Sequence, residues 1–418
     1  MSCAGFKIAI VGSGPSGCYA AQFLNKSLPN AAIYVFEKMP VPYGLLRYGI
    51  AADHQGSKNV SNQYDRVFKQ DNVFFCGNVS IGQDLSFNDL KDHFNLVILA
   101  TGLENDKKLN LPVDEKCKVI GAGALLKSLN SHPNYIANNP SPLGSTISII
   151  GAGNVAMDVV RLLCVQEKHL VNSDIYDRYL NLLRSGNIKK IDVFSRSAAQ
   201  DAKFDLSMLK EIIALEHVQV SFSDEDQFFA SLQATQSHKN DTLISVCFHF
   251  NACPEAIQYQ NHQNQLIVKR RNNDLSHQFE SDYIITAIGF ENDETLLCTV
   301  KSDWAGDSVF KVGWLSSAGN GTVAANRKAV KVVVDEILHH LNTHPEYAMC
   351  LSQKFNSKIE HVIQQSVTFE QWQKIDEFEK RFKPANRCRR KVTTTNLMLM
   401  IASGLSTNIE KQTYINVA

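Results

Sequence analysis

The sequence lacks the cysteine patterns that mark several redox proteins. No two of its ten cysteines are spaced C-x-x-C, and no C-x4-C pattern follows the first strand–helix–strand pattern. These absences argue against a thioredoxin-like dithiol and against an intrinsic iron–sulfur cluster. Scattered thiols of this kind are typical of a reducing compartment. No metal site is predicted.

The chain also lacks a charge excess and a long apolar run. Its formal net charge is zero, so no broad basic field favours nucleic-acid binding. Apolar stretches such as 397–402 are far shorter than the roughly 20 residues that a membrane span needs. The first strand pattern begins near residue 6, so we expect no targeting peptide in the sequence as given. We expect a monomeric, cytoplasmic protein, or a mitochondrial matrix protein if a transit peptide was removed.

What the chain does contain is two glycine fingerprints, far apart, each after an apolar run. The first has the spacing G-x-G-x-x-G at Gly12, Gly14 and Gly17, and it opens a helix-like pattern. These glycines permit a tight turn, a close approach to a pyrophosphate and helix–strand packing. Glu37 lies 20 residues after Gly17, the offset expected for a carboxylate that bonds a ribose hydroxyl. Because a carboxylate repels a 2′-phosphate, this site should take FAD or NAD.

The second fingerprint reads G-A-G-N-V-A from Gly151 to Ala156, after the apolar strand pattern 145–150. The next apolar run, 188–194, ends at Ser195-Arg196-Ser197. A basic residue where the first site has a carboxylate favours a 2′-phosphate, and hence NADP(H). The alternative is that Arg196 is simply a solvated surface arginine. The spacing to this strand is longer than in the first site, so an insertion within 164–187 must be accommodated.

The alternation of strands and helices predicts an α/β fold with two Rossmann-like dinucleotide-binding domains. The predicted FAD-binding domain is discontinuous, with residues 1–103 and 308–418, and the NADP-binding domain 104–307 is inserted into it. Both crossings follow buried strands and lead into polar residues, as hinge segments do.

Several smaller elements follow from periodicity. Residues 119–129 are predicted as a short helix and 237–282 as hairpins. Residues 323–341 and 369–382 are predicted as helices, and Trp372 is expected to be a packing residue.

Five stretches of this sequence closely resemble the adrenodoxin reductase family of FAD-dependent ferredoxin–NADP+ reductases. The resemblance covers nearly the whole chain, and the motifs occur in the family's order. The stretches are PVPYGLLRYGIAADH at 40–54, Gly77-Asn78-Val79, GAGNVAMDVVRLL at 151–163, Gly313-Trp314 and VTFEQWQKID at 367–376.

The resemblance implies FAD in the first fold and NADP(H) in the second. Carried over by position, the FAD-binding residues of the first fold are Gly12, Gly14, Ser16, Gly17, Glu37, Lys38, Leu45 and Val79. Those near the isoalloxazine are Trp314, Gly321, Thr322 and Val323. Those for NADP(H) are Ala152, Gly153, Asn154, Val155, Arg196, Ser197 and Gly321.

His54 and Asp158 match a histidine and an aspartate that face each other near the flavin in the family. They are the candidate catalytic residues, as a hydrogen-bonded proton relay beside the flavin. The alternative is a buried polar contact that orders the domain interface.

The chain departs from the family at three places. Ser197 replaces the second of two arginines for the 2′-phosphate, Met208 replaces a glutamate, and Ala318-Gly319 replaces a glycine–proline step. A missing arginine removes a contact of about 1.5–3 kcal/mol. We therefore expect a weaker preference for NADPH over NADH, for which Lys203 is a partial compensation.

The partner implied is a small acidic iron–sulfur ferredoxin, which needs a basic landing surface. The candidate basic segment contains Lys383, Arg387, Arg389, Arg390 and Lys391, with Lys189, Lys190, Lys203 and Lys210 as additions. The alternative for this segment is a solvated run of charges.

Two other functions stay open. One is an NAD(P)H-dependent flavin oxidoreductase with a small-molecule acceptor, such as a quinone. The other is a non-catalytic, nucleotide-sensing flavoprotein, which the three departures would suit. Disulfide reductases fit poorly, because the cysteine pair is missing.

Overall fold

The computed structural model describes residues 5–136, 141–223, 227–229, 244–271, 275–291, 308–317, 323–344 and 355–405. The chain divides into two compact units. Unit 1 contains Met1–Ile50, His54–Asn105 and Phe290–Ala418, and unit 2 contains Ala51–Asp53 and Asp106–Gly289. Relative to the sequence-based ranges, Ala51–Asp53 fall in unit 2, whereas Glu104, Asn105 and the range that begins at Phe290 fall in unit 1.

Unit 1 is built on a five-stranded parallel sheet. Its strand order is β16-β4-β1-β2-β3. Strands β2 and β3 follow on one side of β1, and β4 and β16 follow on the other side, so the strand order reverses between β1 and β4. This is the strand order of a doubly wound dinucleotide-binding fold, which binds its ligand outside the carboxyl ends of the strands at that point. The strands are β1 (Lys7–Val11), β2 (Ala32–Glu37), β3 (Val73–Gly77), β4 (Leu96–Leu99) and β16 (Val309–Lys311).

The helices of unit 1 cover both faces of that sheet with apolar side chains, so β1 is buried along its whole length. These helices are α1 (Pro15–Ser27), α2 (Leu45–Tyr48), α3 (Gln55–Lys58), α4 (Ser61–Phe68), α5 (Phe87–His93), α11 (Trp314–Ser317), α12 (Val323–Thr343), α13 (Ser357–Gln365), α14 (Phe369–Arg381) and α15 (Thr395–Ala402). Trp372 on α14 is 3% exposed and packs edge-on against Tyr43, so it is a core residue as expected.

Unit 2 contains a six-stranded parallel sheet of order β6-β14-β7-β8-β10-β9 and a three-stranded antiparallel sheet β11-β12-β13. The strands of the large sheet are β6 (Val119–Gly121), β7 (Thr146–Ile150), β8 (Lys190–Phe194), β9 (Val218–Phe222), β10 (Ile244–His249) and β14 (Tyr283–Thr286). Those of the small sheet are β11 (Ala252–Gln260), β12 (Gln263–Arg270) and β13 (Ser276–Ser281).

The helices of unit 2 are α6 (Ala122–Leu129), α7 (Pro133–Ile136), α8 (Asn154–Cys164), α9 (Asp177–Arg184) and α10 (Leu206–Ile213). Three 3-10 turns are Glu167–His169, Ala199–Asp201 and Gln227–Phe229, and two-residue strands are β5 (Asn105–Asp106) and β15 (Phe290–Glu291). The insertion expected within 164–187 is a 3-10 turn followed by α9. The fold class of two parallel, Rossmann-like sheets is confirmed.

Two expectations about elements were wrong. Residues 119–121 form strand β6, paired with β14, and only 122–129 are helical. The run at 244–249 is a parallel strand between β8 and β9 rather than part of a hairpin. Short apolar runs have the same local pattern in either setting, and the tertiary pairing decides between them.

Among the described residues, no helix combines the length and the apolar character that crossing a membrane requires.

Candidate cofactor sites

The first glycine fingerprint joins β1 to α1 in unit 1. Gly12 has φ +104°, and a Cβ there would lie 2.5 Å from the carbonyl oxygen of Ala100. A Cβ on Gly17 would overlap the carbonyl oxygen of Gly12. Gly14, in contrast, has no atom within 4 Å of the position of a Cβ, and it is the N-cap of α1. The backbone at Gly14 is therefore open to a pyrophosphate at the positive end of a helix.

Glu37 ends β2 directly beside this turn. Its Oε2 accepts hydrogen bonds from the Ser13 backbone N–H at 3.1 Å and the Ser13 hydroxyl at 2.7 Å, and its Oε1 accepts from the Met39 N–H at 3.1 Å. The side chain is 8% exposed, so the carboxylate is held in place before any ligand binds. Sequence reasoning missed Ser13, which occupies a variable position of the fingerprint. The neighbouring Lys38 is more exposed and forms an ion pair with Glu104.

The loop after β2 passes over the fingerprint. A Cβ on Gly44 would lie 3.2 Å from the Cα of Gly14, and the Tyr43 N–H donates to the carbonyl of Ser13. Leu45 begins α2 immediately after this contact. Val79 is buried, and its N–H donates to the Glu37 carbonyl at 2.9 Å. Leu45 and Val79 thus lie close to Gly14 and Glu37, as their predicted role requires.

A second segment of unit 1 meets the start of α1. The Ser16 hydroxyl accepts a hydrogen bond from Nδ2 of Asn326 on α12 at 2.7 Å. Gly313 has φ +76°, and a Cβ there would overlap the Ser16 side chain. Trp314 follows at the start of α11 and stacks on Phe290 with ring centroids 5.6 Å apart. The described part of the site therefore brings Trp314 to the same end of the sheet as the fingerprint.

Three predicted cofactor-binding residues, Gly321, Thr322 and Val323, are not fully described by the structure. Gly321 and Thr322 lie outside the described residues, as do Ala318 and Gly319. Val323 begins α12, and its side chain also lies outside the description.

The second fingerprint joins β7 to α8 in unit 2 with the same geometry. Gly151 has φ +110°, and a Cβ there would overlap the carbonyl oxygen of Ala287. Gly153 is the N-cap of α8 and has no atom within 4 Å of the position of a Cβ. Ala156 is fully buried, which explains why a small residue occupies the third position. Ala152 and Val155 flank Gly153 at the helix start and are partly exposed.

The turn after β8 carries the predicted phosphate-binding residue. Arg196 is exposed and Ser197 is partly exposed. The Ser195 hydroxyl accepts a hydrogen bond from the Ser197 N–H at 3.2 Å, and the Ser195 N–H donates to the His249 carbonyl at 2.8 Å. Nothing in this turn corresponds to the buried carboxylate of unit 1. The side chain of Arg196 can therefore meet a negatively charged group from solvent.

Lys203 lies next to the second fingerprint. Its backbone forms a parallel β-bridge with Gly153, and the Asp205 N–H donates to Oδ1 of Asn154 at 2.8 Å. The Lys203 side chain is exposed. Local sequence patterns carried no signal for this proximity, because Lys203 and Gly153 meet only through the tertiary fold.

The two candidate catalytic residues belong to different units. His54 is the N-cap of α3 in unit 1. Asp158 lies on α8 in unit 2, where its Oδ1 accepts a hydrogen bond from Arg161 at 2.7 Å. Arg161 also pairs with Asp53 and, at 3.3 Å, with Glu211, so one guanidinium serves three carboxylates. That His54 and Asp158 face each other stays a prediction.

The candidate basic segment for partner docking is largely internal, which corrects the expectation of an open patch. Arg387 and Lys391 are each 2% exposed. Arg389 pairs with Asp376 at 2.6 Å and with Glu379 at 3.3 Å, and Lys391 donates to the Arg47 carbonyl at 3.0 Å. Arg389 stabilises the fold because the buried carboxylate of Glu379 needs a cationic partner.

One of these carboxylates, Glu379, holds the loop that covers the first fingerprint. Glu379 is fully buried, pairs with Arg47 of α2 and accepts a hydrogen bond from the Val392 N–H at 2.9 Å. The guanidinium of Arg47 also lies 5.0 Å from the ring centroid of Trp372. The side chain of Arg47 therefore anchors the loop through both an ion pair and a cation–π contact.

Comparison with known proteins finds a matching family, similar sequences and similar structures. Residues 6–309 match the family described as pyridine nucleotide-disulphide oxidoreductase. The chain is 34% identical to cindoxin reductase of Citrobacter braakii, covering 94% of this chain and 91% of that protein. It is 26% identical to mitochondrial NADPH:adrenodoxin oxidoreductase of Drosophila melanogaster, covering 95% and 93%. Mycobacterium tuberculosis FprA in complex with NADPH superposes with a TM-score of 0.85 at 25% identity, covering 96% of this chain and all of that one.

Proposed function

This chain belongs to the adrenodoxin reductase group of the pyridine nucleotide-disulphide oxidoreductase family, and on that premise we propose that it transfers electrons from NADPH through FAD to a small iron–sulfur protein. One observation carries the proposal. Two fingerprints each present an open glycine at the start of a helix, but only the first has a buried carboxylate beside it and only the second leads to an exposed arginine.

Unit 1 fits FAD. Glu37 accepts hydrogen bonds from ribose hydroxyls, and the start of α1 with the backbone of Gly14 binds the pyrophosphate; the buried carboxylate and the open Gly14 support these roles. The loop 40–50 covers this site and keeps water from it. When bound, FAD supplies the chemistry, since a flavin accepts two electrons together and can release them singly.

Unit 2 fits NADP(H). Arg196 binds the 2′-phosphate, and the start of α8 at Gly153 binds the pyrophosphate. Lys203 adds a second cation beside Gly153 and partly replaces the arginine that is absent at Ser197. NADPH is thus preferred over NADH, by less than two adjacent arginines would provide.

His54 and Asp158 hold and move the proton that accompanies flavin reduction. His54 is the residue that exchanges the proton, because Arg161 keeps Asp158 paired with a permanent cation. Replacement of His54 by Gln should slow electron delivery to the protein acceptor while NADPH binding persists. An unchanged rate with the acceptor would remove His54 from this role.

The protein acceptor is a small acidic ferredoxin, and unit 2 contributes to its docking surface. Lys189, Lys203 and Lys210 are exposed, whereas most of the basic segment 383–391 is engaged internally. Turnover with the acceptor should fall steeply as salt rises. We place the protein in a reducing compartment, the cytosol or a mitochondrial matrix, because its described cysteines are free thiols.

Anaerobic titration of the purified protein with NADPH and with NADH, in parallel, tests the proposal. Loss of the visible flavin absorbance with both, at lower concentration with NADPH, is the expected result. A protein without flavin absorbance, or one that NADPH leaves oxidised, contradicts it. Steady-state turnover then compares a small ferredoxin with a quinone. Turnover with the quinone far above that with the ferredoxin would favour the small-molecule alternative.

A further inference from the structure

Three potential metal ligands of unit 2 lie on one face of the large sheet. Asp192 on β8 is directly opposite Cys247 on β10, and His249 follows two residues later on the same strand. Because side chains alternate along a strand, all three share a face. One ligand atom from each lies within 4.8 Å of the other two. These residue types, one oxygen, one sulfur and one nitrogen donor, are those that zinc prefers.

The surroundings hold these donors in place. Asp192 is 1% exposed, and its Oδ1 lies 2.9 Å from Nε2 of His249. The imidazole stacks on Phe194, with ring centroids 4.8 Å apart, and meets the edge of Phe279 at 5.0 Å. Since two aromatic rings fix the imidazole, little ordering is left to occur on binding. Cys247 is only partly buried, which leaves an approach for an ion from solvent.

Lys190 pairs with one carboxylate oxygen of Asp192 and leaves the other oxygen accessible. Nζ of Lys190 lies 2.7 Å from Oδ2 of Asp192, and its side chain is half exposed. Oδ1 points instead to His249 and stays in the cluster. Lys190 can therefore balance the second oxygen while the first binds a metal.

We propose that Asp192, Cys247 and His249 bind one divalent transition-metal ion of the zinc class, through Oδ1, Sγ and a ring nitrogen. Three protein donors leave a fourth position for water in a tetrahedral site. Soft sulfur and imidazole donors disfavour magnesium and calcium. The ion would join β8 to β10 immediately before Ser195–Ser197, the turn that carries Arg196. It would stabilise unit 2 against unfolding by mass action.

The test is a titration of the tag-free, flavin-loaded protein with Co²⁺, a spectroscopic substitute for Zn²⁺. Tetrahedral cobalt with a thiolate ligand gives visible d–d bands at longer wavelengths than oxidised flavin absorbs. We expect these bands to saturate at one Co²⁺ per chain and to disappear when Zn²⁺ is added. If wild-type protein gives no such bands, the proposal is wrong, and this outcome needs no variant.

Matched variants locate the site. Replacement Cys247→Ser should abolish the bands or weaken Co²⁺ binding at least about tenfold. Cys253→Ser is the control, because Cys253 lies on β11 and outside the cluster. Asp192→Asn provides a second ligand change should Cys247→Ser not fold, which flavin absorbance and circular dichroism report. Bands that persist in both ligand variants overturn the proposal, since the metal would then bind elsewhere.

Discussion

The two cofactor sites share one turn geometry and differ in what surrounds it. Gly12 and Gly151 both have positive φ at the strand end, and Gly14 and Gly153 are both open at a helix start. In unit 1, the carboxylate of Glu37 is buried and already hydrogen-bonded. In unit 2, the corresponding turn presents exposed Arg196. We propose that the shared part recognises what all dinucleotides have in common and that the differing part selects among them.

The loops beside the two sites differ in the same way. Arg47 and Glu379 form a buried ion pair that fixes the loop over the first site. The turn 195–198 of unit 2 is held by backbone and serine hydrogen bonds. A fixed cover suits a cofactor that stays bound, and an open turn suits a coenzyme that must enter and leave in every cycle.

The largest expected effect comes from Glu379→Ala, which removes the anchor of the first site. It removes the carboxylate partner of the buried Arg47 and one of the two carboxylate partners of Arg389, so the free energy of unfolding should fall by about 3–5 kcal/mol. Flavin should dissociate along with the loss of stability. Thermal unfolding and the flavin-to-protein absorbance ratio measure both effects. Glu377→Ala is the control, because Glu377 is exposed on the same helix. Equal losses in the two variants would refute the role of Glu379.

The selectivity of the second site for NADPH over NADH should fall steeply in Arg196→Ala. Loss of a charged contact of about 1.5–3 kcal/mol raises the dissociation constant for NADPH by about 10- to 150-fold. NADH binding should not change, since it lacks the 2′-phosphate. Lys203→Met should have a smaller effect of the same kind, with Lys210→Met as the exposed control on α10. A parallel loss of NADH affinity in Arg196→Ala would show that it acts on the fold instead. Fluorescence titration with both coenzymes distinguishes these outcomes.

The shared turn can be tested with one change in each site. Gly14→Ala and Gly153→Ala add a methyl group that meets no protein atom within 4 Å. We expect each to weaken only its own dinucleotide, by about 1–3 kcal/mol of steric cost. Gly12→Ala is the contrast, because its methyl would meet the Ala100 carbonyl and should destabilise the protein without any ligand. Flavin content, NADPH binding and thermal unfolding separate the three variants. If Gly14→Ala lowered NADPH affinity and spared FAD, the assignment of the sites would be reversed.

The smallest expected effect concerns the stability of the protein in acid. It should differ between the wild type and a variant in which unit 1 lacks the carboxylate of Asp376. Burial raises the pKa of Asp376, but the nearby charges of Arg389 and Lys380 lower it by more than burial raises it, so the net shift of the pKa is downward. A carboxyl group with a lowered pKa in the folded state stabilises the protein above its unfolded pKa of about 3.9. That stability is lost as pH falls through the folded pKa. Unfolding temperatures measured across this acidic range should fall less steeply in Asp376→Asn. Identical slopes would show that Asp376 does not contribute.

Local patterns were sufficient where a motif is continuous in the chain. Glycine spacing predicted both strand–turn–helix units, and the offset of Glu37 predicted a carboxylate beside the first turn. Patterns failed where the partner is distant in sequence. The charges at 383–391 predicted a surface patch, but Arg387 and Lys391 are buried, and Arg389 pairs with Asp376 and Glu379 of the preceding helix. The apolar pattern at 244–249 predicted one strand of a hairpin, but this strand pairs in parallel with β8 and β9.

The sequence by itself determined the two dinucleotide-binding turns, because steric limits on φ and on close backbone approach act within a few residues. Only the tertiary structure decided that Lys203 lies beside Gly153, that Arg47 is fixed by Glu379, and that Asp192 meets Cys247 and His249. Each of these contacts depends on which elements become neighbours in space. That choice is made by burial of apolar faces over the whole chain, and no short segment contains it.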